Sequence, residues 1–185
     1  MTGVQTCALP ICGFDVFVPI EALAALAETL RAAVGSLGGC GAGWEAFEVA
    51  RIEAGVPRFG VDMDGSNFPQ ECGIEEAAVS YSKGCYIGQE VLNRIHTMGH
   101  VNRSLCGLRL PDDLPSLPPK GEKLFFSGKE VGHVTSAIRS PTLKANIALG
   151  IVRRDAHRVG EQLSLGKAEG GPSALIAQLP FASTA

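Results

Sequence analysis

Lys83-Gly84-Cys85-Tyr86-Ile87-Gly88-Gln89-Glu90 sets a thiol between two glycines, beside a lysine and just ahead of a segment with helical periodicity. A neighbouring ammonium and the partial positive charge of a helix N-terminus both favour the sulfur anion, the form that acts as nucleophile or metal ligand. Gly84 and Gly88 let the backbone approach a ligand or take positive φ, and Glu90 in the first helical turn complements the dipole. Chemistry alone leaves a second reading equally open, in which Cys85 is a small buried apolar residue.

Phe47, Arg51 and Glu53 form a second constellation, on a segment that continues Ala54-Gly55-Val56-Pro57-Arg58-Phe59-Gly60-Val61-Asp62. Read from the residues alone, Phe47 is a core side chain of an amphipathic helix, and Arg51 and Glu53 are solvated helix charges that contribute little. His96 and His100 have a spacing that binds metal when both share a helical face, but Gly99 is expected to break that face, leaving surface histidines. His133 and His157 have no supporting context. Cys7, Cys12, Cys40, Cys72, Cys85 and Cys106 include no C-x-x-C pair. Cys40, Cys72 and Cys106 could join Cys85 in a cluster only if the fold gathered all four. Cys106 is expected in a strand core, and no metal site is assigned.

The elements that must hold these residues follow from periodicity. Phe14 to Val18 alternates like a strand, and Pro19 opens a helix whose Ile20, Leu23, Ala27, Leu30 and Val34 share one face, ended by Gly35, Gly38 and Gly39. A second helix is predicted over Trp44–Ala54, with Phe47, Ala50 and Ala54 as its core stripe; Gly55 suits the left-handed C-terminal position and Pro57 blocks continuation. Arg58 to Ser82 reads as a long loop excursion, and long ordered loops are often functional. Ile87, Val91, Ile95 and Met98 predict a short amphipathic helix over Gly88–Met98. Beyond Asn102, short runs near Leu105–Leu110, Leu124–Phe126, Val131–Ile138, Ile147–Val152, Leu163–Leu165 and Ala174–Leu179 suggest a small antiparallel barrel or sandwich. Pro111 to Pro119 makes a stiff connection, and Ser127-Gly128-Lys129 looks like a hairpin turn.

With 185 residues, 45% of them hydrophobic, the chain can bury a core in one domain or two small ones. A formal net charge of −3 supplies no positive field to gather nucleic acid. Ile20 to Val34 carries Glu21, Glu28 and Arg31 and falls short of the roughly 18 apolar residues of a membrane span. The reading is a cytoplasmic protein with reduced thiols, no direct nucleic-acid partner and no membrane partner. Met1 to Ile11 reads as the in-frame translation of a sequencing-adapter end and has no lysine or arginine for a signal peptide. The expectation is that residues 1–12 are foreign sequence on a shortened gene, with Cys7 an artefact.

The octapeptide around Cys85 resembles the signature of YgfZ-type folate-binding proteins, which are related to the glycine cleavage T-protein. Arg51-Ile52-Glu53-Ala54-Gly55-Val56-Pro57 is similar to that family's R-x-E-x-G-x-P segment, and the resemblance runs from about Gly13 to Phe181. It implies an α+β chain: part of a T-protein-like folate-binding domain over residues 13–102, then a small antiparallel β-barrel over 103–185. It implies tetrahydrofolate as cofactor and iron–sulfur enzymes or cluster-assembly proteins as partners. Cys85 would be the functional thiol, with Lys83, Gly84, Tyr86, Gly88, Gln89 and Glu90 as its motif. Phe47 would stack on the folate, and Arg51, with Glu53 beside it, would meet a carboxylate or pteridine edge. No position matches the catalytic aspartate that the T-protein carries in its N-terminal half.

Three readings stand on this basis. The first is an accessory protein of iron–sulfur cluster assembly or repair, not a conventional enzyme. The second is a tetrahydrofolate-dependent aminomethyltransferase of the T-protein type. The third is an inactive fragment.

Overall fold

The computed structural model describes residues 4–8 and 11–181, with side chains described from Val16 onward. The expectation about residues 1–12 thus falls partly outside the described residues. The chain divides into two compact units, Met1–Ala50 and Arg51–Ala185.

In the first unit, β1 (Val4–Ala8) pairs antiparallel with β2 (Ile11–Asp15). The strand expected over Phe14–Val18 therefore ends at Asp15. Pro19 precedes α1 (Ile20–Ser36), where a fixed φ and a missing N–H cost a helix nothing. The glycines behind it close the helix: Gly39 donates its N–H to Val34 O at 2.9 Å and Gly38 takes φ +79°. The expected core stripe is corrected by the structure, because Ile20, Leu23, Leu30 and Val34 are all exposed. Periodicity reports which face can be buried; burial itself needs a facing surface.

The segment Trp44–Glu53 is α2, and the boundary between the units falls within it. Its end follows the predicted chemistry. Gly55 takes φ +71° and donates to Ile52 O at 2.9 Å, while Val56 donates to Arg51 O at 2.8 Å. Its buried face is centred on Arg51 and Ile52 rather than on Phe47 and Ala50. The excursion that follows contains one turn of helix, α3 (Glu75–Ala78), and leads to α4 (Gln89–Met98), with Gly88 in the left-handed region at its N-cap. Helix α4 starts where the sequence places it, but it buries no residue, and Ile87, Val91 and Met98 are exposed.

Six strands then close a barrel: β3 (Arg103–Leu110), β4 (Lys123–Phe126), β5 (Lys129–Ser140), β6 (Ala145–Arg153), β7 (Gln162–Leu165) and β8 (Ser173–Ala177). Their order around the barrel is β3-β6-β5-β4-β7-β8, and β8 returns to pair with β3. All the expected runs become strands. Ser127 and Gly128, at φ +49° and +78°, form the two-residue turn between β4 and β5. Positive φ at both positions matches the twist of the flanking strands.

Leu108, Leu124, Val134, Leu163 and Ile176 fill the interior. Strand β6 is buried on both faces, which explains its nearly unbroken apolar run. Ile147, Leu149 and Ile151 point outward from it and are covered by Ile52, Leu179 and Phe181. The barrel wall thereby carries the end of α2.

Candidate functional site

Arg51 is 2% exposed, and its position follows from the way α2 ends. The reversal at Gly55 turns the chain back, so that Asp62 donates its N–H to Arg58 O and accepts one from Arg58 N at 3.0 Å. That turn presents the Asp62 carboxylate to the guanidinium. Arg51 Nη1 donates to Asp62 Oδ2 at 2.7 Å and Nη2 donates to Ser136 Oγ at 2.8 Å. The other carboxylate oxygen, Oδ1, accepts the hydroxyls of Thr135 at 2.5 Å and Ser136 at 2.6 Å.

A bulge in β5 makes the last two contacts possible. The register with β6 shifts between Val134 and Ser136, leaving Thr135 as the extra residue. In a regular strand adjacent side chains face opposite ways, whereas a bulge re-aims one of them. Both hydroxyls therefore reach one carboxylate. A buried ion pair is tolerated only when its remaining hydrogen-bonding capacity is met, and here partners come from the loop after α2 and from β5.

Glu53, also expected to be a solvated charge, accepts the hydroxyl of buried Ser140 at 2.5 Å, and its carbonyl accepts the Phe181 N–H at 2.9 Å. The carboxylate that Arg51 meets is the protein's own Asp62, not that of a ligand. These two residues therefore hold the R-x-E-x-G-x-P segment on the barrel. Asp62, Thr135 and Ser136 were not singled out from the sequence, because a loop aspartate and two strand hydroxyls have no local spacing that links them to Arg51.

The octapeptide forms an exposed loop in the second unit. Tyr86 donates its hydroxyl to Ser80 O at 3.0 Å, and Gln89 Nε2 donates to Lys83 O at 3.4 Å. Gly88 takes φ +88° to start α4, while nothing lies within 4 Å of a Cβ built at Gly84. Lys83 Nζ stands over the Tyr86 ring at 4.8 Å, and Glu90 pairs with Arg94 at 3.3 Å on the helix surface. Cys85 is exposed, so burial as a small apolar residue is excluded. It lies ahead of Gly88, outside the first helical turn to which the dipole's influence is confined. Its accessibility is what the structure adds to the thiol reading.

The other thiols separate cleanly. Burial pushes the Cys106 thiol, in β3, up to about 12. Burial, with Glu71 beside it, pushes Cys72 up to about 11. Cys40 is exposed in the first unit. Among the described residues, no group of three histidine, cysteine, aspartate or glutamate side chains could hold a metal ion. His96 stacks on Tyr81 with ring centroids 4.2 Å apart, and its Nδ1 lies 2.8 Å from Glu75 Oε1. His100 lies beyond the end of α4.

Phe47 belongs to the first unit, and Arg51 and Glu53 belong to the second. It is 45% exposed and packs against Trp44, with ring centroids 5.4 Å apart and planes tilted by 32°. An exposed aromatic pair can receive a flat ring. Among the described residues, no helix is long and apolar enough to cross a membrane.

Residues 103–182 match the family described as the glycine cleavage T-protein C-terminal barrel domain. Relatives named aminomethyltransferase include one from Geobacillus kaustophilus, 34% identical over 171 residues, covering 91% of this chain and 46% of the relative. Another, from Symbiobacterium thermophilum, is 33% identical over 170 residues, covering 91% of this chain and 44% of the relative. The crystal structure of glycine cleavage system aminomethyltransferase T from Bartonella henselae superposes with a TM-score of 0.74 at 26% identity, covering 92% of this chain and 46% of that one. The chain spans less than half the length of the curated relatives it matches.

Proposed function

With a T-protein C-terminal barrel at residues 103–182 and aminomethyltransferase relatives along 91% of its length, the chain has the support of a glycine cleavage T-protein-like family, and we propose that it acts in a tetrahydrofolate-dependent protein of the aminomethyltransferase type. The observation that carries this reading is the 34% identity running through the α2 segment, the octapeptide loop and the barrel together, over 171 residues. The relatives' name favours aminomethyl transfer over the iron–sulfur role expected first.

The residues present fit a folate in part. Tetrahydrofolate combines a flat bicyclic ring with an amide-linked glutamate. The exposed rings of Trp44 and Phe47 suit the flat portion. Arg51 does not suit direct contact, because its guanidinium is buried on Asp62 and Ser136. Arg51 and Glu53 act as positioning residues, which keep the α2 segment on the barrel while the ligand is met elsewhere.

Trp44 is the single tryptophan, so its emission reports on this helix. Tetrahydrofolate is expected to quench it saturably, and Phe47→Ala should weaken the apparent affinity about tenfold, within the ~1–3 kcal/mol of an aromatic stacking contact. Absence of saturable quenching, or unchanged affinity in the variant, would remove Phe47 from the site.

A second reading is favoured by one observation, the exposure of Cys85 within its motif loop. If that thiol serves iron–sulfur cluster maintenance, Cys85→Ser should abolish complementation of a maturation defect, while buried Cys106→Ser should retain it apart from a loss of stability. Equal behaviour of the two variants counts against this reading.

A further inference from the structure

Residues 80–98, which comprise the octapeptide loop and α4, are held to the second unit by few contacts. Helix α4 buries no side chain; Gln89, Leu92, Asn93 and Ile95 are half-buried and the rest are exposed. Among the described residues, no other helix or strand packs closely along it. Much of its polar bonding stays within the segment: Arg94 pairs with Glu90, Thr97 Oγ1 donates to Asn93 O at 2.8 Å, and Gln89 reaches Lys83 O. A stretch poor in buried apolar contacts opens at lower free energy than the core beside it. We infer that residues 80–98 form a hinged lid, held shut by a latch at Glu75 and able to open while the barrel stays folded.

The latch is built on one atom. Glu75 Oε1 accepts the Tyr81 hydroxyl and stands 2.8 Å from His96 Nδ1, while the Tyr81 and His96 rings stack with centroids 4.2 Å apart and planes 24° apart. Gln70 Nε2 adds a bond to the Tyr81 hydroxyl at 3.1 Å. Among the described residues, the side-chain hydrogen bonds that tie residues 80–98 to the rest of the unit all run through Glu75 and Gln70. The Tyr81 bond leads the causes that hold the Glu75 carboxyl below its ordinary range, so the latch is made by the carboxylate.

The support beneath the latch is fixed where the lid is not. Leu105 donates its N–H to Glu71 O at 2.7 Å, Arg103 Nε donates to Glu71 Oε1 at 3.1 Å, and Cys72 is buried. These contacts pin the stretch ahead of Glu75 to β3. The lid departs from that support at Val79, extended after α3, and returns at Gly99, extended after α4. Element-terminal residues of this kind absorb the backbone rotation of a hinge. Ile95 and Gly99 line an open cavity of about 610 Å³ with Gln70, Glu75 and Ser104, so opening the lid widens that cavity and moves the Cys85 loop with it.

The lid stands independently of both functional readings. Hydrogen exchange of the full chain, followed peptide by peptide with mass spectrometry, tests it. Amides of α4 are expected to exchange about tenfold faster than those of β3 and β6. Glu75→Ala should speed exchange over residues 80–98 by about a further tenfold, and Tyr81→Phe, which keeps the ring stack, by less, with β3 and β6 unchanged in both. Arg94→Ala, which breaks only the pair with Glu90 on the helix surface, is the control and should leave the lid's exchange within about twofold of the parent. Unchanged exchange over residues 80–98 in Glu75→Ala overturns the latch. Equal acceleration of lid and barrel, or lid amides as slow as those of β3 in the parent chain, overturns the hinged lid.

Discussion

Replacing Asp62 by alanine is expected to destabilise the second unit by about 3–5 kcal/mol, the range found when one partner of a buried ion pair is removed. The cost comes from what is left behind. The Arg51 guanidinium would keep its charge in a site 2% exposed to water, the Ser136 hydroxyl and the Arg58 N–H would lose their acceptor, and the Thr135 hydroxyl would be left with Leu149 O at 3.2 Å. Urea unfolding followed by circular dichroism measures the loss. The double variant Arg51→Met/Asp62→Leu should recover the share that comes from the stranded charge, since a well-packed apolar pair can replace a buried ion pair at little cost, but not the share from the Ser136 hydroxyl and the Arg58 N–H, which still lack their acceptor. A loss under about 1 kcal/mol in the single variant would mean that water reaches the pair.

Gly132→Ala should be nearly as damaging, through sterics instead of charge. A Cβ at this position would lie 2.1 Å from Ile151 O and 3.0 Å from Val152 Cα, both backbone atoms of β6. Gly132 pairs with Val152 in the same ladder, so neither strand can move aside without breaking it. Overpacking costs about 1–3 kcal/mol and occasionally more, and contact with backbone places this case at about 3 kcal/mol or above. Gly65→Ala is the control, since nothing lies within 4 Å of its built Cβ. It should change stability by less than about 0.5 kcal/mol.

Local rules made much of the fold legible in the sequence. Pro19 and Gly55 mark helix ends by backbone chemistry that acts within a few residues, and Ser127-Gly128 marks a turn for the same reason. The alternating runs after Asn102 became the six strands because each carries its own burial pattern. The apolar faces of α1 and α4 could not be resolved in this way, since a stripe shows a capacity for burial and its exposure depends on the rest of the molecule. The candidate site divides similarly. The Cys85 loop was visible because its residues are contiguous, whereas Arg51, Asp62 and Ser136 meet across 85 positions of sequence through a bulge that no local pattern announces. For that reason Arg51 read as a solvated charge, although its chemistry is that of an internal brace.

The order of the barrel strands bears on how the protein can associate. Because β8 returns to β3, every strand of the barrel has a neighbour on each side, and no strand stands at a free edge of the sheet as a template for an incoming one. Strand closure disfavours recruitment of another copy or an extended peptide at a barrel edge, and directs a partner of the barrel toward side chains on its outer wall and loops, where surface substitution can change specificity without disturbing the ladder beneath.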